Sequence, residues 1–301
     1  MIRTVLGDIP ADTLGICNAH DHLFMATPKL PGQELDDPDA ATAELKAFGA
    51  LGGGAVAQWT PHGLGRRADD LPWVSKAAGV HVIAATGLHQ AEFTPPDVVA
   101  RVKNQLGELF TSELTQGIEG TGVKAGMIKV AGGFHGLDEH ARATMTAAAE
   151  AQKATGSPIG VHLELGTGAL DVLELLCGRL EVPPDRVILG HLNRSPDFRV
   201  HRQAAEAGAF LAFDGPSRAN HATDWRLFDA LIALAEAGHA GQVLLGGDTT
   251  TAAARGNPGM PHLLRVIKPG LEKELGEAAV KGFFVGNPAR AFDWATEDRA
   301  T

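Results

Sequence analysis

Two runs set the reading of this chain: Pro158-Ile159-Gly160-Val161-His162-Leu163 and, further on, Arg186-Val187-Ile188-Leu189-Gly190-His191. Each is a short apolar segment of the length that suits a buried strand. Between them Ala169–Leu180 places its leucines and valine at helical spacing. Strand, helix and strand in this order form a right-handed crossover, and the two strands lie parallel. Both strands end in histidine.

Outward from this unit the pattern repeats. Strands are expected at Leu14–Asn18, Gly54–Thr60, His81–Thr86, Val123–Val130, Pro158–Leu163, Arg186–Gly190, Ala209–Phe213 and Gln242–Gly247. Helices are expected at Asp39–Ala50, Asp69–Ala78, Pro96–Gly117, Asp138–Thr155, Ala169–Leu180, Phe198–Ala207, Asp224–Ala237 and His262–Leu275. Gly79, Gly156 and Gly208 stand where helix-terminating glycines belong. Eight alternating units close into a (β/α)₈ TIM barrel, whereas a doubly wound sheet has fewer strands in two sets. Gly52-Gly53-Gly54 precedes a strand instead of following one, so it is no dinucleotide fingerprint. No linker, low-complexity tract or charge run divides the 301 residues, and residues 1–301 are read as a single domain.

Composition narrows the class. With 44% hydrophobic residues and a mean hydropathy of −0.02, the chain can bury a large core. A formal charge of −10 argues against nucleic acid or an anionic membrane as partner. No apolar run reaches the length of a membrane span, and the N-terminus lacks the apolar core of a secretory signal. Cys17 and Cys177 are the only cysteines, which fits a reducing cytoplasm.

In a barrel the C-terminal strand ends converge on one mouth, where active sites of this fold sit. The first strand leads into His20-Asp21-His22, the fifth ends at His162, the sixth at His191 and the eighth at Asp248. Residues i and i+2 of a strand point the same way, so His20 and His22 can grip one ion. Alone, His162 or His191 reads as a hydrogen-bonded core histidine, and Asp248 as a helix cap. The weight comes from four histidines and an aspartate all terminating strands of one series. Lys129, inside Met127-Ile128-Lys129-Val130, is unusual because burying an ammonium is costly. Either its stem lies along the wall with the head in water, or desolvation favours its neutral amine.

Taken together, His20-Asp21-His22, Gly126-Met127-Ile128-Lys129-Val130-Ala131, His162, Gly190-His191 and Asp248 resemble the phosphotriesterase family of the amidohydrolase superfamily. So do Val82–Leu88, Gly117–Gly122 and Asn287-Pro288-Ala289-Arg290, and the similarity covers nearly the whole chain. The resemblance implies two divalent ions, zinc first, with manganese or cobalt as alternatives. It implies that His20, His22 and Asp248 hold the more buried ion and that His162 and His191 hold the more exposed one. It further implies that an N6-carboxylated Lys129 bridges both, that a bridging hydroxide is the nucleophile, and that Asp248 shuttles its proton. A homodimer is also implied.

Substrate contacts are expected from the loops after the strands: Trp59, His62, His89, Arg218, His221 and Arg255. Lactonase members of the family carry a tyrosine near His89 and an arginine after the aspartate of strand seven. This chain has no tyrosine, and Asp214 is followed by Gly215-Pro216. The expected activity is hydrolysis of a carboxylic ester, lactone or related acyl bond, with weak activity on phosphotriesters. The alternative is an amidase for small N-acyl amino acids, whose carboxylate Arg218 or Arg255 would hold. A third alternative is a binding protein on a relic barrel; the complete ligand set argues against it.

Overall fold

The computed structural model describes residues 1–216 and 221–294. An antiparallel hairpin, β1 (Ile2–Thr4) and β2 (Gly7–Ile9), precedes a parallel eight-stranded sheet. Its strands are β3 (Ile16–Asp21), β4 (Gly53–Gln58), β5 (His81–Gly87), β6 (Met127–Ala131), β7 (Ile159–His162), β8 (Val187–Leu189), β9 (Phe210–Asp214) and β10 (Val243–Gly246). Neighbours follow chain order from β3 to β10. Beyond β10 the backbone N–H groups of Gly247 and Asp248 donate to the carbonyl of His20 at 2.9 and 3.0 Å, which closes the circle. This is the expected TIM barrel.

Alternation along the strands sorts the core into two layers. Val82, Ala84, Ile128, Val130, Leu211, Phe213, Val243 and Leu245 face outward and pack beneath the helices. Ala55, Ala57, Trp59, Ile83, Ala85, Met127, Ile188, Ala212 and Leu244 face inward and fill the barrel. Trp59 takes up the space that small neighbours leave. A Cβ on Gly160 would approach its ring to 2.8 Å, and one on Gly190 to 3.3 Å. At the other end, Ile2 and Leu14 join Phe292 in the inner core, and the indole of Trp294 donates to Gly126 O at 2.9 Å.

The helices start and stop where local chemistry requires. Asp37, Asp138 and Asp197 each accept hydrogen bonds from backbone N–H groups in the first turn of α1 (Pro38–Gly49), Glu139–Thr155 and Phe198–Glu206. Gly79 (φ 67°) and Gly156 (φ 77°) end their helices in the left-handed conformation. Several boundaries depart from the sequence expectation. The segment expected as one helix, Pro96–Gly117, is two: Pro96–Val102 and Leu106–Thr115, parted at Gln105 (φ −139°). The second piece turns Leu106, Phe110 and Leu114 into the core. β6 begins at Met127 instead of Val123: the Ala125 N–H is taken by Glu113 O outside the sheet, and contact with β5 starts only at Gly126, whose N–H donates to Ala84 O. β3 extends to Asp21 instead of ending at Asn18, and its pairing with β4 is irregular between Asn18 and Asp21.

Candidate metal centre and active site

The irregularity in β3 decides how the first two histidines point. Cys17 and Ala19 already face the barrel interior, so unbroken alternation would turn His20 outward. A bulge shifts that parity, and His20 and His22 both line a cavity of about 180 Å³ at the mouth. Lys129, His162, His191 and Asp248 line the same cavity, with His89, Phe93 and Thr250 around it. The five residues expected from the strand ends and Lys129 are therefore brought together. His191 (φ 63°) and Asp248 (φ 48°) adopt left-handed backbone, strained for residues other than glycine and concentrated at this mouth.

The hydrogen bonds around the cavity fix which ring nitrogens face inward. Thr60 Oγ1 donates to Phe24 O at 2.6 Å, so at 2.7 Å from His22 Nδ1 it accepts, and His22 carries its proton there. The carboxylate of Asp214 lies 2.7 Å from His20 Nδ1 and 2.5 Å from His191 Nδ1, and accepts from both. His20, His22 and His191 thus present Nε2 lone pairs. His20 and His22 direct theirs toward Asp248 Oδ1, at 3.6 and 3.5 Å. His162 donates from Nε2 to Glu164 at 3.1 Å, which turns its Nδ1 lone pair toward His191 Nε2, 2.8 Å away. Two lone pairs cannot share that space without a proton or a cation between them. The donor set fits a cation, and its nitrogen and oxygen character suits zinc-like ions.

For His22, His162 and Lys129 the electrostatics point the same way, whereas at His191 burial is outweighed by Asp214 and Asp248, which raise the ring above its ordinary value. Burial lowers the pKa of His22 to about 4 and that of His162 to about 3, which favours the neutral, ligating ring. Burial lowers Lys129 to about 7, with Asp248 opposing only in part. Its Nζ donates to His89 Nδ1 at 2.8 Å, and no acidic group pairs with it among the described residues. Burial opposes ionisation of Asp248, but His191, His22 and His20 outweigh it and hold the carboxyl below its usual range. Lys129 is buried, so its head does not reach into solvent.

The other expected substrate residues fare differently. His89 lines the cavity. Trp59 does not: it is fully buried, its ring stacked 3.9 Å from His20 and its N–H on Ala19 O, so it forms the floor of the site. His62 sits in a separate group with Glu113 and Glu119. Their ligand atoms are close enough to hold a cation, but Arg66 Nη2 already lies 2.5 Å from Glu113 and 3.0 Å from Glu119. Arg255 is consumed by Glu44 at 3.0 Å and by the carbonyl of Leu23. Arg218 lies outside the described residues, and His221 begins the short helix His221–Asp224.

Sequence reasoning gave no role to Thr60, nor to Asp214, Glu164 and Asp21. Asp214 pins two of the histidines, and it was legible as one more acidic strand terminus. Glu164 holds His162 and also accepts from Gln90 at 3.2 Å. Asp21, raised to about 7 chiefly by burial, accepts from Asn18 at 2.5 Å and from the N–H groups of His22 and Thr249. It ties the end of β3 to the loop after β10.

Comparison with known proteins agrees with this construction. Residues 1–292 match the model of the phosphotriesterase family. A phospho-furanose lactonase of Mycoplasmopsis synoviae is 30% identical, covering 97% of this chain and 92% of its own. An N-acetyltaurine hydrolase of Rattus norvegicus is 28% identical, covering 71% of this chain and 70% of its own. Among solved structures, a lactonase from Listeria monocytogenes superposes with a TM-score of 0.89 at 29% identity, covering 98% and 99% of the two chains. With a matching family model spanning the barrel and the site, this chain belongs to the phosphotriesterase family of the amidohydrolase superfamily.

Proposed function

We propose that this protein is a binuclear metal-dependent hydrolase of carboxylic esters or lactones, with weak activity toward phosphotriesters. The observation that carries the reading is the ring of inward-facing nitrogens around one cavity, closed by Asp248 and by a buried lysine with no acidic partner among the described residues. In this reading His20, His22 and Asp248 would hold one cation and His162 and His191 the other, and Lys129, once carboxylated, would supply oxygen ligands beside them. Zinc suits these ligands, and manganese or cobalt would also. Relatives described as lactonases support the choice of bond.

When bound, the two ions supply Lewis acidity and lower the pKa of a water to near neutrality. The chain's own residues do the rest. Asp248, held ionised, accepts the proton of the attacking water at its carboxylate. Asp214, Thr60 and Glu164 fix the histidine rings from behind, so the donor geometry exists before substrate arrives. Trp59 seals the floor against water from below. The neutral amine favoured at Lys129 is the form that combines with carbon dioxide to give a carbamate.

A second reading, hydrolysis of the amide bond in a small N-acyl amino acid, is favoured by the similarity to the N-acetyltaurine hydrolase. The test is metal analysis together with a screen of lactones, aryl esters and N-acyl amino acids on the same zinc- or manganese-grown preparation. About two ions per chain are expected. Lys129→Ala should nearly abolish turnover, and propionate should restore part of it by returning two oxygens. Full activity with one ion or none would sink the binuclear reading.

A further inference from the structure

Arg194 lies just beyond β8 with its side chain only 12% exposed, yet its guanidinium is poorly satisfied. Nη2 makes one long hydrogen bond, 3.5 Å, to Gly215 O, and stands 3.7 Å from Asp248 Oδ2. Nη1 is 3.6 Å from Asp224 and has no hydrogen-bond partner. Arg66, more deeply buried at 2% exposure, shows the contrast: its two terminal nitrogens grip Glu113 and one of them also reaches Glu119. A guanidinium offers five donors in a fixed fork, and leaving them unpaired away from water is costly. Something outside the described residues is needed to satisfy Arg194.

The surroundings indicate what it is. Gly215 has φ +61°, and a Cβ there would come within 2.4 Å of Nη2, so this position leaves room for the guanidinium. Arg194 borders a second cavity of about 300 Å³, walled by Pro216, Thr249, Thr251, Ala254 and Leu263 among others. Asp248 and Thr250 border both this cavity and the metal-ligand cavity, so the two adjoin across the proposed proton acceptor. Among the described residues of its walls Asp248 is the only carboxylate, and Arg194 the only permanent cation. Hydroxyls and apolar groups make up most of the rest. One planar cation matches one planar monoanion.

We propose that Arg194 anchors a carboxylate of the substrate, so that the preferred acyl compounds carry an anionic group reaching past Asp248 into this second cavity. The proposal rests on the hydrolase reading above, and it places the anchor at Arg194, whereas Arg255 is already engaged by Glu44. It predicts discrimination between an acid and its neutral ester.

The experiment uses metal-loaded wild type, Arg194→Gln and Arg194→Lys. The probes are mono-4-nitrophenyl glutarate and its methyl ester, with calorimetric titration of glutarate and monomethyl glutarate. Wild type should prefer the acid by about tenfold or more in kcat/KM, mainly through KM, as suits a charge-assisted pair. Arg194→Gln should collapse that ratio toward one, and Arg194→Lys should recover part of it. An equal fall for both esters, with the ratio kept, would overturn the anchor. So would wild type showing no preference. If neither ester is cleaved, ester hydrolysis fails for these probes, and the titration decides the anchor. Glutarate binding more tightly than its monomethyl ester in wild type, but not in Arg194→Gln, upholds it; equal binding in wild type overturns it.

Discussion

Asp248 stands in both cavities and faces His20 and His22 through one oxygen and Arg194 through the other. Asp248→Asn keeps the size and one ligand oxygen but accepts no proton. Steady-state kinetics should show kcat reduced by about 10²–10⁴, the range for loss of a general base. Metal content should fall less than in His20→Ala; wild-type turnover in the Asn variant would reduce Asp248 to a ligand. Lys129 gives a pH signature in the metal-free protein. Its folded pKa is about 7 against an ordinary 10.5. Between those values the unfolded chain binds a proton that the folded chain lacks, so stability rises with pH across that window. Thermal melts from pH 7 to 10 should show this rise, and Lys129→Met should flatten it. Asp248 was legible because strand ends are legible, and Lys129 because an ammonium within an apolar strand is costly. The ring orientations were not, since they depend on Thr60, Asp214 and Glu164, which contact the histidines only after folding.

At the scale of elements, β9 contributes a carboxylate that serves two other strands. Asp214 accepts from His20 on β3 and from His191 beyond β8, and burial is outweighed there by both histidines, which hold it well below the usual carboxylate range. Asp214→Asn would keep the shape but offer an amide to two ring N–H donors. Metal affinity measured by competition with a chelator should drop about 10–100-fold, the usual effect of losing such a partner. An unchanged affinity would show that the rings are held by packing alone. The bulge in β3 is the second device of this scale. A period-2 pattern places Cys17 and Ala19 correctly, but it cannot reveal the extra residue that turns His20 inward.

Across the whole molecule, closure of the barrel depends on a bare backbone where the last strand meets the first. A Cβ on Gly246 would stand 2.7 Å from both Cβ and O of His20. Since Gly246 is not among the positive-φ glycines, alanine there is unfavourable only because the two strands meet. Gly246→Ala should destabilise by about 1–3 kcal/mol through overpacking. It should also weaken metal binding, because the clash is with a ligand. A calorimetric melt alongside metal analysis checks both, and a variant with wild-type melting temperature and metal content would show that the junction yields freely.

The sequence by itself determined the eight strand–helix units, their parallel order and the six candidate ligands that line the mouth. Those follow from local periodicity and from the rule that strand ends share a mouth. Trp59 marks the limit of that reasoning. Lying one residue beyond β4, it reads as a substrate contact, but only the closed barrel shows that Gly160 and Gly190 leave it the central space under His20. Arg255 and Arg194 mark it again: one arginine is spent on Glu44 and the other is left under-paired beside Asp248. Which side chain meets which across a barrel depends on contacts between residues far apart in the chain, and no local pattern encodes them. The tertiary structure decided them, because burial makes each polar group find a partner or remain costly until one binds.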